Sequence, residues 1–236
     1  MLQFTTILPL GRPAPFEAFC RHSYIYPLAG YVTGGIAAAV VLLFPDKPLV
    51  GAVLGIAAVL ILSGCNHFDG LLDLGDGLMA HGDRTKRVAA LTDRTIGAGG
   101  ISAGIITVAL AIAGLASCPY PAFAILAAEV AGRFSMAFLS AYGRPFTEGI
   151  HSSIHRFARP QFGLYAFVLC LPLVLFRYLS HGTPLFVLAV FLVMLAVPCG
   201  MLLLGRRVFG GVNGDITGAS CEVTRAVVLV VAALVS

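Results

Sequence analysis

The chain has 236 residues, of which 58% are hydrophobic and only 11% charged, with a formal net charge of +4. Its mean hydropathy is +0.94, whereas a soluble domain carries about 25% charged residues. This excludes an ordinary soluble enzyme or nucleic-acid-binding module, and it predicts one all-α polytopic membrane domain over 1–236.

The first residues lack a basic start followed by an apolar run, and Pro9 and Pro15 interrupt them, so no cleavable leader is expected. Long uncharged runs then predict membrane helices over 23–44 and 49–65. A polar stretch, 66–99, comes next. Spans over 100–118 and 121–142 follow, then a second polar stretch, 143–161. Further spans are expected over 162–176 and 184–204, and a last one ends near Val235. That last one must begin near Ile216 to cross, which places Glu222 and Arg225 inside it. The expectation is seven spans, the second and fifth short, with six plus a re-entrant end as the alternative.

Charge placement favours seven. With a cytoplasmic N-terminus, Arg84, Lys86, Arg87, Arg94, Arg206 and Arg207 fall inside, while only Lys47 and Arg177 fall outside. The net positive charge is then a topology signal and needs no nucleic acid. The six cysteines form no C-x-x-C pair and read as packing residues.

The most informative segment is Asp69-Gly70-Leu71-Leu72-Asp73-Leu74-Gly75-Asp76-Gly77. Carboxylates at i, i+4 and i+7 fall within roughly 60° on a helix and share a face. Like charges so close repel unless a cation sits among them. Hard oxygen donors suit Mg²⁺, so Asp69, Asp73 and Asp76 are the expected metal ligands. Basic Arg84, Lys86 and Arg87 follow, readable as polyphosphate contacts or as topology anchors. Next come Asp93 and Arg94, then glycines from Gly97 whose N–H groups could face phosphate at a helix start.

Near the other end, Gly214 and Asp215 lie in a glycine-rich turn, with Glu222 seven residues after the aspartate. This reads equally as a second acidic site or as an Asp cap on the last helix. Glu129 and Arg133 form an i, i+4 pair within an apolar run, readable as a self-neutralising pair or as a guanidinium that holds phosphate. His67 is a candidate ligand or proton donor; His151 and His155 are weaker ones.

The stretch His67-Phe68-Asp69-Gly70-Leu71-Leu72-Asp73-Leu74-Gly75-Asp76-Gly77 resembles the H-x-D-G-L-x-D-x-x-D-G signature of the cobalamin synthase family, the adenosylcobinamide-GDP ribazoletransferases. Further likenesses are the F-T-T-I-L-P run at 4–9, P-L-A-G at 27–30, the segment 93–100, Arg133, and the Gly-Asp close over 210–222. Departures are Arg94-Thr95 in place of Ser-Arg, Gly132 in place of Ser, and Arg225 where an acid is often found.

The resemblance implies a Mg²⁺-dependent transfer. A ribose hydroxyl of α-ribazole, or of its 5′-phosphate, attacks the cobinamide-side phosphorus of adenosylcobinamide-GDP, and GMP leaves. It implies Asp93 or Asp215 as base, with His67 a further proton-transfer candidate. Arg94 and Arg133 would be phosphate clamps, with Gly97, Gly214 and Glu222 beside the substrate. The setting would be the cell membrane, multi-pass, with lipid around the chain and the site facing the cytoplasm; a homo-oligomer is compatible. One rival is a CDP-alcohol phosphotransferase, whose D-G-x-x-A-R signature fails here at Asp73-Leu74. Another is a small cation transporter, which would place acids nearer mid-membrane.

Overall fold

The computed structural model describes residues 1–12, 14–175 and 184–235. Two short helices, Leu2–Thr5 and Phe16–Arg21, precede the bundle. The bundle comprises α1 (Tyr26–Leu42), α2 (Pro48–Leu62), α3 (Asn66–Met79), α4 (Arg84–Leu91), α5 (Ala98–Ser117), α6 (Pro121–Tyr142), α7 (Ile150–Phe157), α8 (Gln161–Cys170), α9 (Pro184–Leu204) and α10 (Gly214–Val235). Prolines open α1, α2 and α6 in the first turn, where the missing N–H has no helical partner to lose. Among the described residues the β structure is one isolated bridge, Pro145 to Val212.

Among the described residues, five helical stretches are long and apolar enough to cross a membrane: Ser23–Leu42, Ala98–Ser117, Pro121–Tyr142, Pro184–Phe209 and Gly214–Val235. Two shorter apolar helices bring the total to as many as seven, each joined to a neighbour across a sharp bend: 94° between α2 and α3, and 97° between α7 and Gln161–Leu175. The chain is an all-α polytopic membrane protein. The last element is a continuous 22-residue helix, about 33 Å long, so the re-entrant C-terminal alternative gives way. The predicted run 49–65 stops early because Gly64 and Cys65 take φ of 60° and 57°, a left-handed turn that no helix continues through. Phe176, the end of the fifth predicted span, and Arg177 lie outside the described residues.

That turn matters for the site. It swings α3 away from its apolar partner as an amphipathic helix too polar to cross alone. His67, Gly70, Leu71, Leu74, Gly75 and Gly77 are buried, while Asp69 is exposed and Asp73 and Asp76 are half-buried.

Helix α6 is the axis of the bundle, packed between α1 and α10. At its middle lies a buried ionic network. The Glu129 carboxylate accepts from Arg225 Nε at 2.5 Å and from Thr33 Oγ1 at 2.6 Å. Its Oε2 also lies 3.9 Å from Arg133 Nη2. Arg225 pairs in addition with Glu222. Arg133 Nη1 reaches the His67 ring at 3.2 Å. Two carboxylates and two guanidiniums thus balance in a region where an isolated charge is costly. The network ties together α1, α3, α6 and α10.

Candidate active site

Carboxylates from three segments meet at one end of the bundle. A cleft of about 350 Å³ is lined by Asp69 and Asp73 of α3, Asp93 and Arg94 of the α4–α5 loop, and Asp215 of α10, with Leu91, Thr92 and Ile96 closing it. The close approach of α3 to α10 depends on Gly70. A Cβ there would lie 2.6 Å from the backbone oxygen of Asp215 and 2.8 Å from its Cα. No side chain fits between these backbones.

Asp215 does not cap α10. Asn213 does: its Oδ1 accepts the Ile216 N–H at 3.0 Å, and its Nδ2 donates to Asp215 Oδ2 at 2.6 Å. The aspartate therefore sits in the first helical turn with its carboxylate turned to the cleft. Asp93 accepts the Thr95 N–H at 3.1 Å. Its carboxyl is held below the usual range by these Thr95 hydrogen bonds. Asp73 moves the other way. Partial burial, then the charges of Asp215, Asp69 and Asp76, push its carboxyl up to about 7.

Asp76 is engaged differently. Its two oxygens accept the N–H groups of Gly97 at 2.7 Å and Gly100 at 2.8 Å. The N–H groups that could have faced phosphate instead hold this carboxylate, which ties α3 to the start of α5. Asp76 lines a neighbouring hollow with Asp93, Thr95 and Gly97. Asp76→Ala removes two charge-assisted hydrogen bonds at a helix start. It should cost about 1–3 kcal/mol, read as a lower melting temperature in metal-free detergent buffer.

Arg133 and Glu222 do not reach the cleft. They are 0% and 3% exposed and belong to the buried network. His67 is also buried, its ring against Arg133. Arg87 is turned back onto Leu78 O at 2.8 Å. Sequence reasoning missed the role of Asn213, although an Asn two residues before an Asp at a helix start is a readable capping signal. It also missed a second cavity, of about 330 Å³, beside the cleft. Phe4, Phe16, Phe19 and Tyr26 line it, together with His67, His151, Gly214 and Thr217, and Asp215 borders both spaces.

The cleft's donor set suits a hard divalent ion, being mainly carboxylate oxygens. Mg²⁺ binds through one or two carboxylates plus waters and substrate phosphate, so the acids need not touch one another. Among the described residues, the His/Cys/Asp/Glu group with ligand atoms within 4.8 Å of one another is a different one: buried His67, Cys221 and Glu222. Arg133 and Arg225 adjoin that group and oppose a cation there.

A helical membrane bundle with a carboxylate- and arginine-lined cleft at one end defines a polytopic membrane enzyme. The family model described as cobalamin-5-phosphate synthase matches residues 1–233, and the chain belongs to that family. It is accordingly a transferase of cobalamin biosynthesis. It is 34% identical to the adenosylcobinamide-GDP ribazoletransferase of Halorubrum lacusprofundi, over 97% of this chain and 93% of that one. The enzyme of the same name from Methanosarcina mazei is 31% identical, over 98% and 89% respectively. That from Deinococcus radiodurans is 34% identical, over 97% and 82%. No solved structure matches the chain.

Proposed function

We propose that the cleft transfers adenosylcobinamide phosphate from adenosylcobinamide-GDP to a ribose hydroxyl of α-ribazole or its 5′-phosphate. The new bond joins that oxygen to the cobinamide-side phosphorus. The pyrophosphate bond breaks, GMP leaves with its electron pair, and the hydroxyl proton passes to a carboxylate. The observation that carries this reading is the convergence of Asp69, Asp73, Asp93, Asp215 and Arg94 on one cleft.

Each group has a task in that reaction. Asp69 and Asp73 would hold Mg²⁺. The ion supplies charge neutralisation at the pyrophosphate. Arg94 would hold a phosphate oxygen. Asp215 is the better base. Asp93 is held ionised by the Thr95 N–H, which weakens it as a proton acceptor. Arg133, sealed against His67 and Glu129, acts as a positioning residue for α3 rather than as a clamp. The positive-inside bias of the loops supports a cytoplasmic face for the cleft in the cell membrane, where a nucleotide-activated substrate would be met.

The test is GMP release by detergent-purified protein given adenosylcobinamide-GDP and α-ribazole 5′-phosphate. Activity should depend on Mg²⁺ and vanish with excess EDTA. CMP release from a CDP-alcohol instead would move the reading to the rival transferase. Inactivity of folded protein in both assays would overturn it.

A further inference from the structure

The cavity beside the acidic cleft carries a second function. We infer that it seats the aromatic base of the nucleoside acceptor, so that the acceptor's ribose crosses the Asp215 border into the cleft. This rests on the transfer reaction proposed above and goes further, assigning the acceptor's subsite.

Three observations support it. First, the cavity wall is an aromatic cluster. The Phe4 and Phe19 rings lie 4.7 Å apart, Phe16 stacks on Phe19 at 5.7 Å, and Tyr26 meets Phe19 edge-on at 5.8 Å. Flat heterocycles stack on such faces. Second, its volume of about 330 Å³ matches a small ligand pocket and is too small for a corrin macrocycle with its side chains. Third, Asp215 lines this cavity and the acidic cleft alike. A nucleoside with its base in one space and its ribose at the border presents a hydroxyl to the carboxylate proposed as base.

Guanine, the other small heterocycle of the reaction, fits less well. Its edge carries several donors and acceptors that need partners. Two of the cavity's polar groups, Thr217 and His151, are already occupied. The Thr217 hydroxyl donates to Asn213 O at 2.9 Å and meets His151 Nδ1 at 3.1 Å, and His151 Nε2 lies 2.8 Å from Gly143 O. A benzimidazole-type base with little hydrogen-bonding demand suits such walls.

The experiment measures binding and kinetics on the full chain in detergent. Equilibrium binding of α-ribazole, without donor or Mg²⁺, is compared in wild type, Phe16→Ala and Phe16→Tyr. Phe16 is 41% exposed, so its truncation leaves the core intact; Ile150→Ala, at a more exposed wall position, is the second variant. Phe16→Ala should weaken α-ribazole binding about tenfold. It should raise the acceptor KM by a similar factor with the donor KM held, and Phe16→Tyr should restore both. Unchanged α-ribazole binding in both truncations would overturn the inference. So would a loss confined to GMP binding and the donor KM, which would give the cavity to guanine. Failure of the transfer reaction itself shows separately, as wild type that releases no GMP.

Discussion

Asp73→Asn should abolish GMP release and, in metal-free buffer, make the protein more stable. The activity loss is expected to be roughly a thousandfold or more, about 4 kcal/mol of barrier, because the substitution removes a charged oxygen donor from the centre of the cleft. The stability gain follows from electrostatics. Burial and three neighbouring carboxylates push the Asp73 carboxyl up to about 7, against about 3.9 in an unfolded chain. Between those values the folded chain holds a proton that the unfolded chain has released. Metal-free wild type therefore loses stability as pH rises from about 4 to about 7. The asparagine variant lacks that loss and should melt higher at pH 8. Mg²⁺ should raise the wild-type melting temperature and do little for the variant. A variant that melts lower than wild type without metal would show that Asp73 is held by contacts other than its neighbours' charge.

Glu129→Gln should be the most destabilising single change in the chain. Glu129 is 0% exposed and faces Arg225, Arg133 and Thr33 at once. Neutralising it leaves two buried guanidiniums with Glu222 as their one nearby carboxylate. The cost of breaking such a network is about 3–5 kcal/mol, measurable by thermal or denaturant unfolding in detergent. Charge balance also predicts a coupling. Arg225→Gln should be severe, whereas combining it with Glu222→Gln should cost less than the sum of the two single changes. Additive effects would mean that the pair contributes through packing rather than charge. Activity should fall with stability here, since His67 on the acidic helix rests against Arg133.

The helices and the acidic motif were legible because hydropathy runs and the i, i+4, i+7 spacing are local properties. What the spacing could not show is what each carboxylate meets. Asp69, Asp73 and Asp76 share a face by sequence, yet Asp76 is captured by the Gly97 and Gly100 N–H groups. The glycine turn that read as a phosphate cradle is occupied from within. Arg133 read as a phosphate clamp, with a buried partner as the alternative, since the i, i+4 pair with Glu129 is visible in sequence but its third member is not. Arg225 arrives from a distant helix, and it stands where the resemblance led one to expect an acid. The aromatic cavity was illegible for the same reason. Phe4, Phe16 and Phe19 come from the first residues, while His151 and Thr217 come from far along the chain. The sharp turn at Gly64 and Cys65 could not be read either, because a left-handed cysteine has no local signature.

The buried network also bears on how the protein is made. Arg225 lies near the middle of α10, one turn after Glu222. An arginine at such a depth costs an isolated helix about 2.5–3.5 kcal/mol during insertion. Its main counter-ion, Glu129, was synthesised earlier and waits on α6. Glu222 on the same helix offsets part of that cost, and docking against α6 offsets the rest. Asp215 rides on that same helix. Docking of α10 therefore brings Asp215 to the cleft in the same step, and a chain that has not docked it has an incomplete cleft.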